Sequence, residues 1–207
     1  MTGVLEKLFG STARVKIMRL FLLNPESLLS ITEISRRANV NLRSARREIS
    51  FLRGLDFVKQ KEEKIDQIIK LKKGKIKNKK KKISGLILNP SFSFLNPLKN
   101  LLLNAAPLDK GKMVKMLNSA GKMKLIVLAG IFIQSDNSRT DLFLVGDSIK
   151  MSVLERVLRK IEAETGKELV YSALTTKDFI YRMGMYDRFV RDILDYPHEK
   201  LVNKLGV

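Results

Sequence analysis

Between Lys59 and Ser84 the chain carries twelve lysines against three carboxylates, with Gly74 and Asn78 punctuating the run Lys72, Lys73, Lys75, Lys77 and Lys79 to Lys82. Twenty-six residues this poor in apolar side chains cannot supply a hydrophobic core, so what folds must fold on either side of them. Composition predicts a mobile loop here. Of a net charge of +19, from 40 Lys+Arg and 21 Asp+Glu, this segment holds +9, and the stretches before and after it hold +5 each. Such an excess calls for a polyanionic partner. A solvated insertion that aids solubility is the plain use of the run; a phosphate-seeking arm is the other, and the neighbouring sequence decides between them.

Hydrophobic residues at 44% and charged residues at 29% exclude collagen-like and wholly disordered chains. With no Cys and one His, there is no disulfide framework, no thiolate nucleophile, no Cys-based zinc site and little scope for imidazole chemistry. The longest apolar run, Leu125 to Ile133, falls far short of the ~20 residues a membrane-spanning helix needs, and Leu20 to Leu23 is too short for a signal-peptide core. The expectation is a cytoplasmic protein with no membrane partner.

In the N-terminal third, Val15, Met18, Phe21 and Leu22 recur at helical spacing and stop at Asn24-Pro25. A second helix is expected from Thr32, without a full capping box, with Ile34 and Ala38 facing inward. Asn39-Val40-Asn41 makes a tight turn. A third helix then runs over 41–53, with Gly54 as a left-handed C-cap. Three helices with so short a turn suggest helix-turn-helix. At 100° per residue, Ala45, Ile49 and Leu52 of the third helix share one side, and Arg43, Arg46, Arg47 and Ser50 cluster on the other. An arginine fork pairs bidentately with guanine O6 and N7 or with phosphate, which suits such a helix to a DNA major groove. An ordinary solvated face is the alternative. Asp56 to Gln60 and Ile83 to Leu88 read as strands flanking the lysine-rich segment, where the wing of a winged helix belongs.

The predicted DNA contacts are therefore Asn41, Arg43, Ser44, Arg46, Arg47 and Ser50 on the third helix, with Lys72, Lys73, Lys75, Lys77, Lys79 and Lys80 on the wing (64–84). The arginines select; the lysines add affinity and salt dependence without sequence information.

Domain 1–89 is followed by an apolar linker helix in 90–108 (Phe92, Phe94, Leu95, Leu98, Leu101, Leu102) expected to dock both domains. Beyond it, in 109–207, come helix Lys110 to Leu117, strands Met123 to Ile133 and Thr140 to Gly146, helix Met151 to Ala163, strand Glu168 to Ala173, and helices Thr176 to Arg182 and Asp187 to Leu194. These elements predict a small mixed α/β sheet.

The segments LEKLFGSTARVKIMRLFLLNPE, LNPSFSFLNPLKNLLL and VLAGIFIQSDNSRTDLFLVGD resemble those of small prokaryotic proteins in which a winged helix precedes a nucleotidyltransferase-like domain. The resemblance covers nearly the whole chain apart from the enlarged wing tip. It implies a fold class of α+β or α/β, a winged helix-turn-helix followed by a mixed-sheet nucleotidyltransferase-like domain. In active members of that superfamily the first strand ends in Gly-Ser and the second carries Asp-x-Asp, which holds two divalent metals and the nucleoside triphosphate. Here Gly130 matches the glycine, Ile131 replaces the serine, and Arg139-Thr140-Asp141 puts arginine where the first carboxylate belongs. Gly130, Arg139 and Asp141 are thus the remains of a site, expected to hold neither metal nor cofactor. Asp136 and Asp147 do not restore the spacing. Arg139 and Asp141, two apart on one strand, are expected to pair with each other, although Arg139 in a vestigial cleft is also suited to an anionic ligand. His198 is expected to be exposed, Asp192, Asp195 and Glu199 to be solvated or capping, and Met113, Met116, Met123, Met183 and Met185 to fill core or serve an adaptable interface.

These observations predict a DNA-binding transcriptional regulator, not an enzyme, with double-stranded DNA as partner and a homodimer reading half-sites about 34 Å apart. The alternatives are an active nucleotidyltransferase using Mg²⁺ and a nucleoside triphosphate, and a protein that coats nucleic acid without specificity.

Overall fold

The computed structural model describes residues 3–70, 76–104, 109–135 and 137–207, with the backbone alone at 64–70, 76–81 and 104. The fold is mixed α/β, with two small sheets among the described residues. It divides into two compact units, Met1–Ala105 with Ala163–Lys167, and Ala106–Glu162 with Glu168–Val207. No helix among the described residues is long and apolar enough to cross a membrane.

The first unit contains α1 (Val4–Leu8), α2 (Thr12–Leu23), α3 (Ile31–Arg37), α4 (Leu42–Gly54), β1 (Val58–Lys70), β2 (Ile76–Leu88) and α5 (Leu95–Asn104). Ser11 caps α2 by accepting from the Arg14 N–H, and α2 buries Val15, Ile17, Met18, Leu20, Phe21 and Leu22. Apolar on most sides, it forms the centre of the core. The chain leaves it at Asn24, as the following proline requires. The start of α3 differs from the sequence expectation. Ser30, not Thr32, is the N-cap, and Ser30 with Glu33 completes a capping box.

Asn39 takes φ +50 in the turn after α3, a conformation Asn tolerates. Ser35 Oγ donates to the Val40 carbonyl, and Asn41 caps α4 by accepting from the Ser44 N–H at 2.8 Å. At the other end, Gly54 is still helical, and the left-handed residue is Asp56 at φ +59. The Phe57 N–H reaches back to the Leu52 carbonyl and the Asp56 N–H to that of Arg53, closing the helix two residues later than expected.

The largest departure lies in the lysine-rich segment. Strands β1 and β2 pair antiparallel from Val58↔Leu88 to Lys70↔Ile76, so most of the predicted mobile loop is a long hairpin. An antiparallel ladder satisfies its own backbone groups and needs an apolar anchor only at one end. Val58, Leu86 and Leu88 supply that anchor in the core, and Leu86 also exchanges two backbone hydrogen bonds with Leu29. Ile65, Ile68, Ile69 and Ile76 add β-branched strand preference, and the register sets Asp66 opposite Lys80. Thirteen residues per strand correspond to roughly 40 Å of ladder.

α5 belongs to the first unit. Leu102 is fully buried there, Phe92, Leu95, Leu98 and Leu103 pack against the same core, and buried Arg19 donates to the Leu102 carbonyl. Phe94 and Leu101 are exposed.

The second unit contains α6 (Lys110–Asn118), β3 (Lys122–Leu128), a 3-10 turn at Gly130–Phe132, β4 (Leu142–Asp147), α7 (Met151–Thr165), β5 (Tyr171–Thr175), α8 (Thr176–Gly184), α9 (Arg188–Asp195) and β6 (Glu199–Asn203). The strand order is β5-β4-β3-β6, parallel only between β4 and β5 across α7. β6 has no counterpart in the sequence expectation, and β3 ends at Leu128 instead of running on to Ile133. The run Leu125 to Leu128 is continuously apolar because both faces of the sheet are covered. Ile126, Leu128, Leu142 and Leu144 pack with Met113, Leu117, Leu154, Leu158 and Ile161 of α6 and α7. Leu125, Val127, Phe143 and Val145 pack with Phe179, Val190 and Ile193 of α8 and α9. The resulting order is helices, sheet, helices.

Candidate nucleic-acid interface

α4 divides as its sequence angles require. Ala45, Ile49 and Leu52 are buried, whereas Arg43, Arg46, Arg47 and Ser50 are exposed and Ser44 is half-exposed. Asn41 is exposed with its side chain committed to the cap, so its role is to fix where α4 begins. Arg46, Ser50 and Arg53 line a cavity of about 410 Å³ with Ile31, Ile49 and Gly54. Ser44 and Arg47 line another, of about 430 Å³, with Glu6 and Lys7 of α1 and Ser11 and Thr12 at the start of α2.

Sequence reasoning missed the residue that holds this face in place. Glu48 is 1% exposed and accepts from Ser11 Oγ at 2.9 Å, from Arg14 Nε at 2.9 Å and from Arg47 at 3.1 Å. The Arg14 guanidinium lies over the Phe51 ring at 3.8 Å. The signal was present, because Glu48 falls at −60° from Ala45 on the helical wheel, beside Leu52 rather than with the arginines. Burial pushes its carboxyl up, but the hydrogen bonds from Ser11, Arg14 and Arg47 and the charge of Arg14 outweigh burial and hold it below the ordinary value. A carboxyl depressed on folding stabilises the fold above its unfolded pKa, and that contribution is lost as pH falls through the folded value. Glu48→Gln should cost about 2–3 kcal/mol near neutral pH, since Arg14 keeps its burial and loses its counter-charge. Thermal unfolding near pH 7 and again below about pH 4.5 checks this, with the gap between wild type and variant narrowing at the lower pH.

Of the predicted wing contacts, Lys72, Lys73 and Lys75 lie outside the described residues. Lys77, Lys79 and Lys80 are on β2.

The corner between β3 and β4 brings Gly130 and Asp141 together but leaves Arg139 apart. Gly130 sits at φ +51, where a Cβ would collide with Asp141 Oδ1. Asp141 is nearly buried. Its Oδ1 accepts from the Ile131 N–H and its Oδ2 from the Val170 N–H, both at 2.9 Å. The expected Arg139–Asp141 pair therefore does not form, and Arg139 pairs with Asp192 of α9. Strand alternation does not apply at Arg139, because β4 begins only at Leu142. Asp192 is thus a salt-bridge partner and not a freely solvated group; it also lies 3.9 Å from Arg188, while Asp195 pairs with Arg191 and Glu199 with Lys110.

These residues do not fit a divalent cation. Asp141 points into its own backbone, and among the described residues no three of His, Cys, Asp and Glu converge on a metal-sized site. Asp136 lies outside the described residues, and Asp147 pairs with Lys124 at 2.8 Å. His198 is half-exposed, with Nδ1 2.8 Å from the Tyr196 carbonyl. Met113 and Met123 are core, Met116 and Met183 pack against it, and Met185 is exposed. No protein-family model matches the chain, and comparisons with curated proteins and with solved structures returned no match.

Proposed function

We propose that the chain is a double-stranded DNA-binding regulator whose first unit is a winged helix-turn-helix. In this reading α3 and α4 form the helix pair, α4 enters the major groove, and the β1–β2 hairpin is a wing lying on the phosphate backbone. The supporting observation is the division of α4: three buried apolar residues fix one side while Arg43, Arg46, Arg47 and Ser50 present donors on the other. The second unit is read as a nucleotidyltransferase-like fold with no transfer chemistry, because Asp141 serves the backbone of its own corner. A cytoplasmic location belongs to the same reading.

Binding to a duplex should fall steeply with salt. If roughly six phosphates are neutralised, the slope of log affinity against log salt is about −5. Fluorescence anisotropy between about 50 and 200 mM salt reads that slope directly, and a slope near zero would remove DNA as the partner. Incubation with labelled nucleoside triphosphates, Mg²⁺ or Mn²⁺ and candidate acceptors should give no transfer. Labelling that Asp141→Ala abolishes without unfolding the protein would establish the enzyme instead.

A further inference from the structure

The α8–α9 corner of the second unit is unlike the rest of this +19 chain. Residues 176–196 carry four basic and four acidic side chains and three of the four tyrosines. Ile180 and Tyr181 are 61% and 67% exposed on the side of α8 opposite buried Phe179, and Met185 and Tyr186 continue the apolar surface into the turn at 65% and 76%. With it stand the ion pairs Arg182–Asp187 and Arg191–Asp195, and Asp192 shared between Arg139 and Arg188.

Tyr186 is the informative residue. The α8 C-terminus closes with the Asp187 N–H on the Arg182 carbonyl and the Tyr186 N–H on that of Met183, which puts Tyr186 at the left-handed position where glycine is usual. It sits there at φ +54. A bulky residue at that angle is strained, and the ring gains little burial within its own chain in return. The Arg191 guanidinium is 5.8 Å from the ring centroid. The turn therefore presents an aromatic side chain outward at some cost to the fold, as interface anchors are presented.

We infer that the α8–α9 corner seats on the same corner of a second copy, forming a symmetric dimer. Charge selects this occupant. A polyanion would require a strongly cationic patch, whereas residues 176–196 sum to zero and only Arg139, bound to Asp192, adds one positive charge. An isologous contact needs a surface that complements itself, and alternating Arg and Asp around an apolar centre provides it. Copies of a +19 chain repel each other over most of their surface, so a nearly neutral apolar face is where they can meet. The inference does not require the DNA reading, and the two have opposite salt dependences. Salt screens the repulsion between copies and strengthens the dimer, while it weakens DNA binding.

Sedimentation equilibrium of the full chain without DNA tests this. The wild type should be dimeric at about 100 µM in about 0.5 M salt, and dissociate more readily at about 0.05 M. Tyr186→Gly should weaken the dimer about tenfold or more while melting at or above the wild-type temperature, because glycine relieves the left-handed strain. Tyr181→Ser should weaken it too, without that gain in melting temperature. A wild type that stays monomeric under these conditions, or a dimer indifferent to both substitutions, overturns the inference.

Discussion

Alanine at both Arg43 and Arg46 is expected to lower discrimination between the preferred duplex and unrelated sequence by about 2–6 kcal/mol, from about 1–3 kcal/mol for each base-reading arginine. That corresponds to a loss of roughly 30-fold to 10⁴-fold in the specificity ratio. Both side chains are exposed and alanine favours helix, so the fold should be unaffected. Arg47 differs from these two, because its guanidinium is bonded to Glu48, which favours a fixed phosphate contact over base reading. Replacing residues 65–81 by a short turn, which shortens both paired strands equally and leaves Lys64 opposite Lys82, should act in another way, weakening binding to all sequences alike and flattening the salt slope. Competition titrations with specific and scrambled duplexes separate the two effects. The coating alternative gains if affinity survives the arginine substitutions and collapses on deletion of the lysines.

Asp141→Ala is expected to destabilise the second unit by about 1–3 kcal/mol, because it removes the buried carboxylate that accepts from the part-buried N–H groups of Ile131 and Val170. For a unit of about 100 residues this lowers the melting temperature by roughly 5–20 °C. Asparagine should recover only part of the loss, since its amide has one acceptor for the two N–H donors. A metal ligand would behave differently, and alanine in its place would leave the melting temperature nearly unchanged. Differential scanning calorimetry of wild type and both variants distinguishes these cases.

The regular parts of this fold could be read from spacing alone. The buried triplet Ala45, Ile49 and Leu52, the Asn39 turn, the Asn41 cap and the parallel pairing of β4 with β5 across α7 all follow from local periodicity or chain order. What was not legible depended on partners distant in sequence. Glu48 takes its meaning from Ser11 and Arg14, more than thirty positions away, and Arg139 from Asp192, in a helix whose placement the sequence does not disclose. The lysine hairpin departs from expectation for a different reason. Scarcity of apolar residues argues against a packed core but not against a ladder fastened at one end by Val58, Leu86 and Leu88. The closing turn after Gly54 shows a smaller version of the same limit. Glycine is the commonest left-handed residue, yet the register of the last helical turn assigned that place to Asp56.

In the proposed reading the wing lysines and the α4 arginines divide DNA binding into strength and selection, and selection is the claim most open to direct test. Repeated selection of bound duplexes from a fully randomised pool, run in parallel on the wild type and on the Arg43→Ala, Arg46→Ala double variant, measures it with no operator sequence assumed. The wild type should enrich a defined sequence, and the double variant should bind the same pool while enriching none. No enrichment by the wild type, or the same sequence enriched by both proteins, would contradict recognition of DNA through α4.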